Sequence, residues 1–293
     1  MKKINIVVIL LLLGIGGCTS KQKFYISSGS PGAIYYPTAK ALCKNFNKHD
    51  NQYKCIALKS SGADNNLKGL KEQKFEFSIS QATLQNDYYK NKFAKNTRSV
   101  MGLHHEHFSI VVSENSNIKT LDDLVGKRVN IGNPGSGSRI YFEKIMQKKS
   151  WLQPDFAKIY EEKSSNLDDL ICTGKIDAAI YLVGHPNKIF SKIINDCNGK
   201  LLNLNLSDRS FLKDVFPEFK NTIINSDLYK KQPNTVETIG IPVILSTHNK
   251  VNVEIVNQLK KFSIENKELL EKQHIIFKEI NFELPHTARA PTL

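Results

Sequence analysis

The chain has 293 residues, 40% hydrophobic and 24% charged, a balance that buries a core and excludes a disordered or collagen-like protein. That length accommodates two domains of about 150 residues. Lys and Arg total 41 against 28 Asp and Glu, a net charge of +13; such a surplus suits a small anionic solute, an acidic membrane surface or nucleic acid. The lysines are scattered and no nucleic-acid motif or solenoid repeat occurs, so no nucleic-acid partner is expected.

Lys2 and Lys3 precede an apolar run from Ile4 to Leu13. The run is shorter than the ~20 residues that span a bilayer and fits an exported leader over residues 1–17. Small residues, Gly14-Ile15-Gly16-Gly17, stand before Cys18 and resemble the bacterial lipobox. That resemblance implies lipidation of Cys18, a membrane attachment by lipid anchor and a mature chain starting there; an ordinary cleaved leader is the alternative. Both place the body outside the cytoplasm. The other four cysteines, Cys43, Cys55, Cys172 and Cys197, then read as two disulfides. Three connectivities are open; Cys43–Cys55 and Cys172–Cys197 close the shortest loops. No Cys-x-x-Cys spacing supports a zinc site.

After a linker over 18–23, Phe24–Ser27 is an expected strand, followed by the turn Ser28–Gly32 and a helix to about Asn47. Cys55–Leu58 is a second strand, followed by Ser60–Asp64 and a helix to about Lys71. Phe75–Ile79 is a third, with Ser80-Gln81-Ala82 opening the next helix. Ser99–Leu103 and Phe108–Ser113 read as two further strands. A short helix near Leu121 leads to the strand Arg128–Gly132, the turn Asn133–Arg139 and a helix over Ser138–Lys149. Ala157–Tyr160 precedes a helix at Asn166–Gly174. Asp177–Val183 is an apolar strand that opens into Gly184-His185-Pro186-Asn187 and another helix. Strands at Leu201–Leu206 and Gly240–Leu245 and a helix from Asn252 to Lys267 complete the reading. Strands alternating with helices predict mostly parallel sheets. Two such sets form two lobes: lobe 1 over 24–110 plus 243–293, lobe 2 over 111–242, joined by two crossover segments.

In open α/β sheets ligands lie beyond the carboxyl ends of strands. Five strands here end in small or polar turns that open helices, at Ser28–Gly32, Ser60–Asp64, Ser80–Ala82, Asn133–Ser138 and Gly184–Asn187. The first turn of a helix has N–H groups without intrahelical partners and favours an anion. The expected site is therefore a cleft ringed by Ser28, Ser30, Gly32, Ser61, Gly62, Gln81, Asn133, Pro134, Gly135, Ser136, Gly137, Ser138 and Gly184. Tyr35 and Tyr36 supply either aromatic walls or ordinary packing. Arg139 either pairs with a ligand carboxylate or is a solvated first-turn residue. His185 either enters the site or fixes its turn.

The segments Ser28-Gly-Ser-Pro-Gly-Ala-Ile-Tyr-Tyr-Pro37, Ser78-Ile-Ser-Gln81, Asn133-Pro-Gly-Ser-Gly-Ser138, Leu170-Ile-Cys-Thr-Gly-Lys-Ile-Asp177 and Val183-Gly-His-Pro-Asn187, in this order, resemble the TAXI family. Those proteins are the extracytoplasmic solute-binding subunits of TRAP transporters. The resemblance runs from about Phe24 to Lys267 and includes the spacing of the cysteine pairs. It implies an α/β two-lobe periplasmic-binding-protein type II fold and a monomeric receptor. That receptor would capture a dicarboxylate or an acidic amino acid such as glutamate for a membrane permease. An ABC-importer receptor on the same fold is the alternative. The tail from Leu284 to Leu293 matches the family only in part.

His104-His105-Glu106-His107 puts His105 and His107 on one side of a strand, but the segment falls at the expected crossover and no further ligand stands out, so no metal is expected. The Gly-Lys-Ser/Thr of a P-loop and the Gly-x-Ser-x-Gly elbow are absent. Asp177 reads as a turn or capping residue, and Asp64 and Asp87 as first-turn helix carboxylates. No catalytic residue and no cofactor are expected.

Overall fold

A computed structural model describes residues 21–292 apart from 92, 227, 287 and 289. The expected leader, Cys18 and residues 19–20 of the linker lie outside the described residues. Among the described residues ten strands form one mixed sheet, flanked by helices. In chain order the first half is β1 (Gln22–Ser27), α1 (Tyr35–His49), β2 (Tyr53–Leu58), α2 (Ala63–Lys71), β3 (Phe77–Gln81) and α3 (Ala82–Lys90). A long strand follows, β4 (Thr97–Val112), and then β5 (Arg128–Asn130), α4 (Gly137–Lys149), β6 (Lys158–Tyr160), α5 (Leu167–Cys172), β7 (Ala178–Val183) and α6 (Lys188–Asp196). The chain continues through β8 (Lys200–Leu201), α7 (Leu206–Val215), β9 (Lys220–Ile224), the second long strand β10 (Val236–His248), α8 (Val253–Glu265) and α9 (Lys267–Glu271).

The sheet order is β2-β1-β3-β10-β4-β7-β5-β6, with β8 on β4 and β9 on β10. β1, β2 and β3 are parallel to one another, as are β5, β6 and β7. β4 and β10 are antiparallel to each other and to the parallel set each one borders. Each set keeps the parallel pairing that helical crossovers impose. The two expected strands at Ser99–Leu103 and Phe108–Ser113 are thus a single strand. The intervening His-His-Glu-His segment is part of its ladder, with Glu106 opposite Ile241 and His107 opposite Val183. Cross-strand partners supplied by β10 and β7 hold this polar run extended, which local propensity does not foretell.

Hydrophobic burial is organised in two clusters. One packs Phe24, Phe46, Phe77 and Phe262 from the first half and the C-terminal helices, and extends to Phe190 and Ile193 of α6. The other packs Phe108, Phe142, Phe216 and Phe219 around α4 and α7. The disulfides are Cys43–Cys55, tying α1 to β2, and Cys172–Cys197, tying α5 to the end of α6, with Cα separations of 4.9 and 5.2 Å. They match the shortest-loop connectivity.

Other expectations shift at the edges. β1 begins at Gln22 and β3 ends at Gln81. Of the expected strand at Leu201–Leu206 only Leu201 lies in a strand, β8, and Leu206 starts α7. Asp87 lies beyond the first turn of α3 and binds Lys144 at 2.9 Å. Asp177 accepts from the backbone N–H of Arg128 and from its guanidinium, clamping the start of β5 to β7.

Candidate functional site

The two halves meet across a cavity of about 70 Å³. One water needs roughly 10–15 Å³, so the space suits a small molecule and excludes a polymer. Four helices of nine residues or more begin at its wall: α1 with Gly29, Ser30 and Tyr35, α2 with Ser60–Ala63, α4 with Ser136–Ser138, and α6 with Asn187, Ile189 and Phe190. Each follows a strand through a turn that contains small or polar residues, which brings backbone to the wall beside the larger Ile34, Tyr35, Ile189 and Phe190. Ser136 caps α4 by accepting from the Arg139 N–H at 3.3 Å, and Asn187 caps α6 by accepting from Ile189 and Phe190. Backbone donors of the first helical turns therefore border one space from both halves, a favourable setting for negative charge.

The walls touch. Asn133 Nδ2 donates to the Ser61 carbonyl at 3.0 Å, the Asn65 N–H donates to the Gly135 carbonyl at 3.3 Å, and the Ser30 and Ser164 hydroxyls meet at 2.8 Å. Gly137 lies so close to Gln81 that a Cβ there would come within 2.6 Å of the side-chain amide. Gln81 and the Asn133 turn thus face each other. Gly62, at φ +125°, would bring a Cβ within 3.1 Å of the Ser136 Cα; only glycine combines that backbone with that approach.

Of the expected residues, Ser30, Tyr35, Ser61, Gly62, Gln81, Asn133, Ser136, Gly137 and Ser138 line the cavity. Ser28, Gly32, Tyr36, Pro134, Gly135, Arg139, Gly184 and His185 do not. The reasons are individual. Arg139 turns outward and is held by Glu143 at 2.8 Å and Glu161 at 2.7 Å. Buried Ser28 donates to the Leu58 carbonyl at 2.6 Å, tying β1 to β2. The Tyr36 ring lies under the Lys59 ammonium. Gly32 packs on Ile189 and Gly184 on His104. His185 is buried behind the wall, its Nε2 2.8 Å from the Ser109 hydroxyl and its Nδ1 on the Tyr229 hydroxyl, and burial pushes its pKa down. It fixes its turn rather than entering the cavity.

The residue that the sequence reading missed is Glu106. It lies in the cavity wall, 4% exposed, and Gln81 Nε2 donates to its Oε2 at 2.6 Å. Burial pushes its pKa up to about 8; the hydrogen bonds from Gln81 and Tyr35 oppose that rise. The strand periodicity invoked for His105 and His107 contains the signal: if these two face one way, His104 and Glu106 face the other. His105 and His107 border a separate cavity together with His185 and Glu279. Among the described residues no group of three or more His, Cys, Asp or Glu is placed to hold a metal. No helix among them is long and apolar enough to cross a membrane.

The model of the NMT1-like family matches residues 26–290. The chain belongs to the NMT1-like family. Solved structures share the fold of this NMT1-like protein. An ancestral arginine-binding protein bound to arginine matches at a TM-score of 0.56 with 16% identity, over 89% of this chain and 99% of that one. A putative L-cystine ABC transporter protein from Listeria monocytogenes matches at 0.55 with 13% identity, over 90% and 98%. The periplasmic aliphatic sulphonate binding protein of Escherichia coli matches at 0.51 with 14% identity, over 88% and 74%. The fold of the NMT1-like chain is therefore the α/β fold of periplasmic binding proteins. At these identities the likeness extends to fold and not to ligand.

Proposed function

We propose that this protein is an extracytoplasmic receptor that captures a small carboxylate-bearing solute, a dicarboxylate or an acidic amino acid, and delivers it to a TRAP-type permease. The observation that carries the reading is the convergence of four helix starts, from both halves, on one small cavity. An anion there is favoured by about 0.3–1 kcal/mol per helix, and by more where the site is buried. The motif order from Ser28 to Asn187 supports the TAXI assignment. Lobes divided at 110/111 and 242/243 would part along β4 and β10 to admit the solute, and the closed form would dock on the permease. Residues 1–17 act as a leader, Cys18 receives the lipid, and the receptor works as a monomer on the membrane surface.

The test is a thermal-shift screen of carboxylates on the mature protein. A true ligand at one hundred times its Kd adds about 2.7 kcal/mol of stability. No shift with any small solute across a broad library refutes the receptor. The second reading, a receptor for an ABC importer, draws on the fold shared with the L-cystine ABC transporter protein. An ATPase gene beside this one favours that reading; a large polytopic permease gene favours TRAP.

A further inference from the structure

One corner of the cavity has the opposite character from its helix starts. Glu106 on β4, Gln81 at the end of β3 and Tyr35 at the start of α1 meet there, each 5% exposed or less. Gln81 spends its N–H on Glu106, and this leaves its carbonyl Oε1 buried without a donor. The Tyr35 hydroxyl is buried beside the Glu106 carboxyl. A buried acceptor without a donor is costly, so this carbonyl favours a ligand group that donates to it.

What the corner lacks is a positive charge. No ion pair joins Glu106 to a cation among the described residues. The other ionisable groups around it are the phenols of Tyr35 and Tyr141, with Lys163 and Tyr181 further along the cavity lining and His104 two residues back on β4. Burial holds His104 near a pKa of about 3, so it is neutral. The phenols are neutral as well, their pKa values raised by burial.

Resting on the receptor reading above, we propose that Glu106, with Gln81 and Tyr35, selects solutes that bear a primary ammonium group beside their carboxylate, and that this ammonium displaces the proton of Glu106. The carboxylate of the solute lies toward the helix starts and its ammonium in the acceptor corner. The O–H bond of the Glu106 carboxyl breaks and its proton passes to the buffer. The carboxylate so formed pairs with the ammonium, and the Gln81 carbonyl accepts a second of its N–H bonds. A plain dicarboxylate supplies no cation to the corner and leaves Glu106 protonated.

The experiment compares acids that differ only in the amine: L-glutamate with glutarate, L-aspartate with succinate, L-alanine with propionate. Thermal shift ranks them, and calorimetry at pH 6.5 in two buffers of different ionisation enthalpy counts protons. The expected result is at least tenfold tighter binding of an amine-bearing member, release of about one proton, and affinity rising with pH between 5.5 and 7.5. The near-isosteric E106Q variant, its fold checked by circular dichroism, loses the discrimination at least tenfold and releases no proton. A des-amino acid that binds as tightly as its partner, or binding without proton release from the wild-type protein, overturns the proposal and leaves the receptor intact. If no acid of either kind binds, both fail together.

Discussion

Replacing Glu106 by Gln removes an ionisable group that the fold keeps protonated, and the effect on stability has a definite sign. The carboxyl is raised by burial from 4.5 to about 8. Between those pH values the folded chain holds the proton while the unfolded chain has released it. Stability contributed at this position is therefore fully present below pH ~4.5, falls as pH rises through the window, and levels off above pH ~8. At 1.36 kcal/mol per pKa unit the total loss has a ceiling of about 5 kcal/mol. Opening of the cleft hydrates the carboxylate and caps the loss at the cost of opening. Urea denaturation of the unliganded protein at half-unit steps from pH 5 to pH 9 measures it. The wild-type protein is expected to lose a few kcal/mol across this range. E106Q keeps the partner for Gln81 and carries no proton, so its stability changes less and exceeds that of the wild type near pH 8.5. Parallel pH profiles for the two proteins would refute the assignment of Glu106 as a buried, neutral acid.

Gly137→Val places side-chain atoms where the Gln81 amide lies, 2.6 Å from the position of the Cβ. It is expected to weaken solute binding at least tenfold with little loss of melting temperature, because the clash arises only when the walls meet; unchanged affinity refutes the site. Ser136→Phe, also at the wall, is expected to block capture while circular dichroism stays native. At Gly102 a Cβ would lie 2.1 Å from the Glu283 carbonyl and 2.7 Å from that of Asn281. Backbone does not yield as a side chain does, so Gly102→Ala is expected to cost about 1–3 kcal/mol and to expose the segment after α9 to protease. The disulfides close loops with sequence separations of 12 and 25 residues; replacing either pair by serines is expected to cost roughly 3 kcal/mol in denaturant unfolding.

Local chemistry was legible from the residues alone because turns and helix starts are specified within a few positions. Small residues at Ser60–Asp64 and Asn133–Ser138 open α2 and α4 as expected, and the alternation of strands and helices identifies an α/β chain of two parallel sets. The shortest cysteine loops also followed from spacing. What depends on partners distant in sequence was not legible. Whether Arg139 meets a ligand or Glu161 depends on the loop after β6. Whether His185 enters the cavity or bonds Ser109 and Tyr229 depends on strands and loops far along the chain. The polar run at His104–His107 carries no strand signal of its own. Its extension across both halves, and with it the placement of Glu106 in the cavity, follows from the flanking ladders of β10 and β7. Sequence determined the ring of helix starts; only the tertiary structure decided that an unpaired carboxyl stands among them, since the face a strand residue presents is set by register and register by its neighbours.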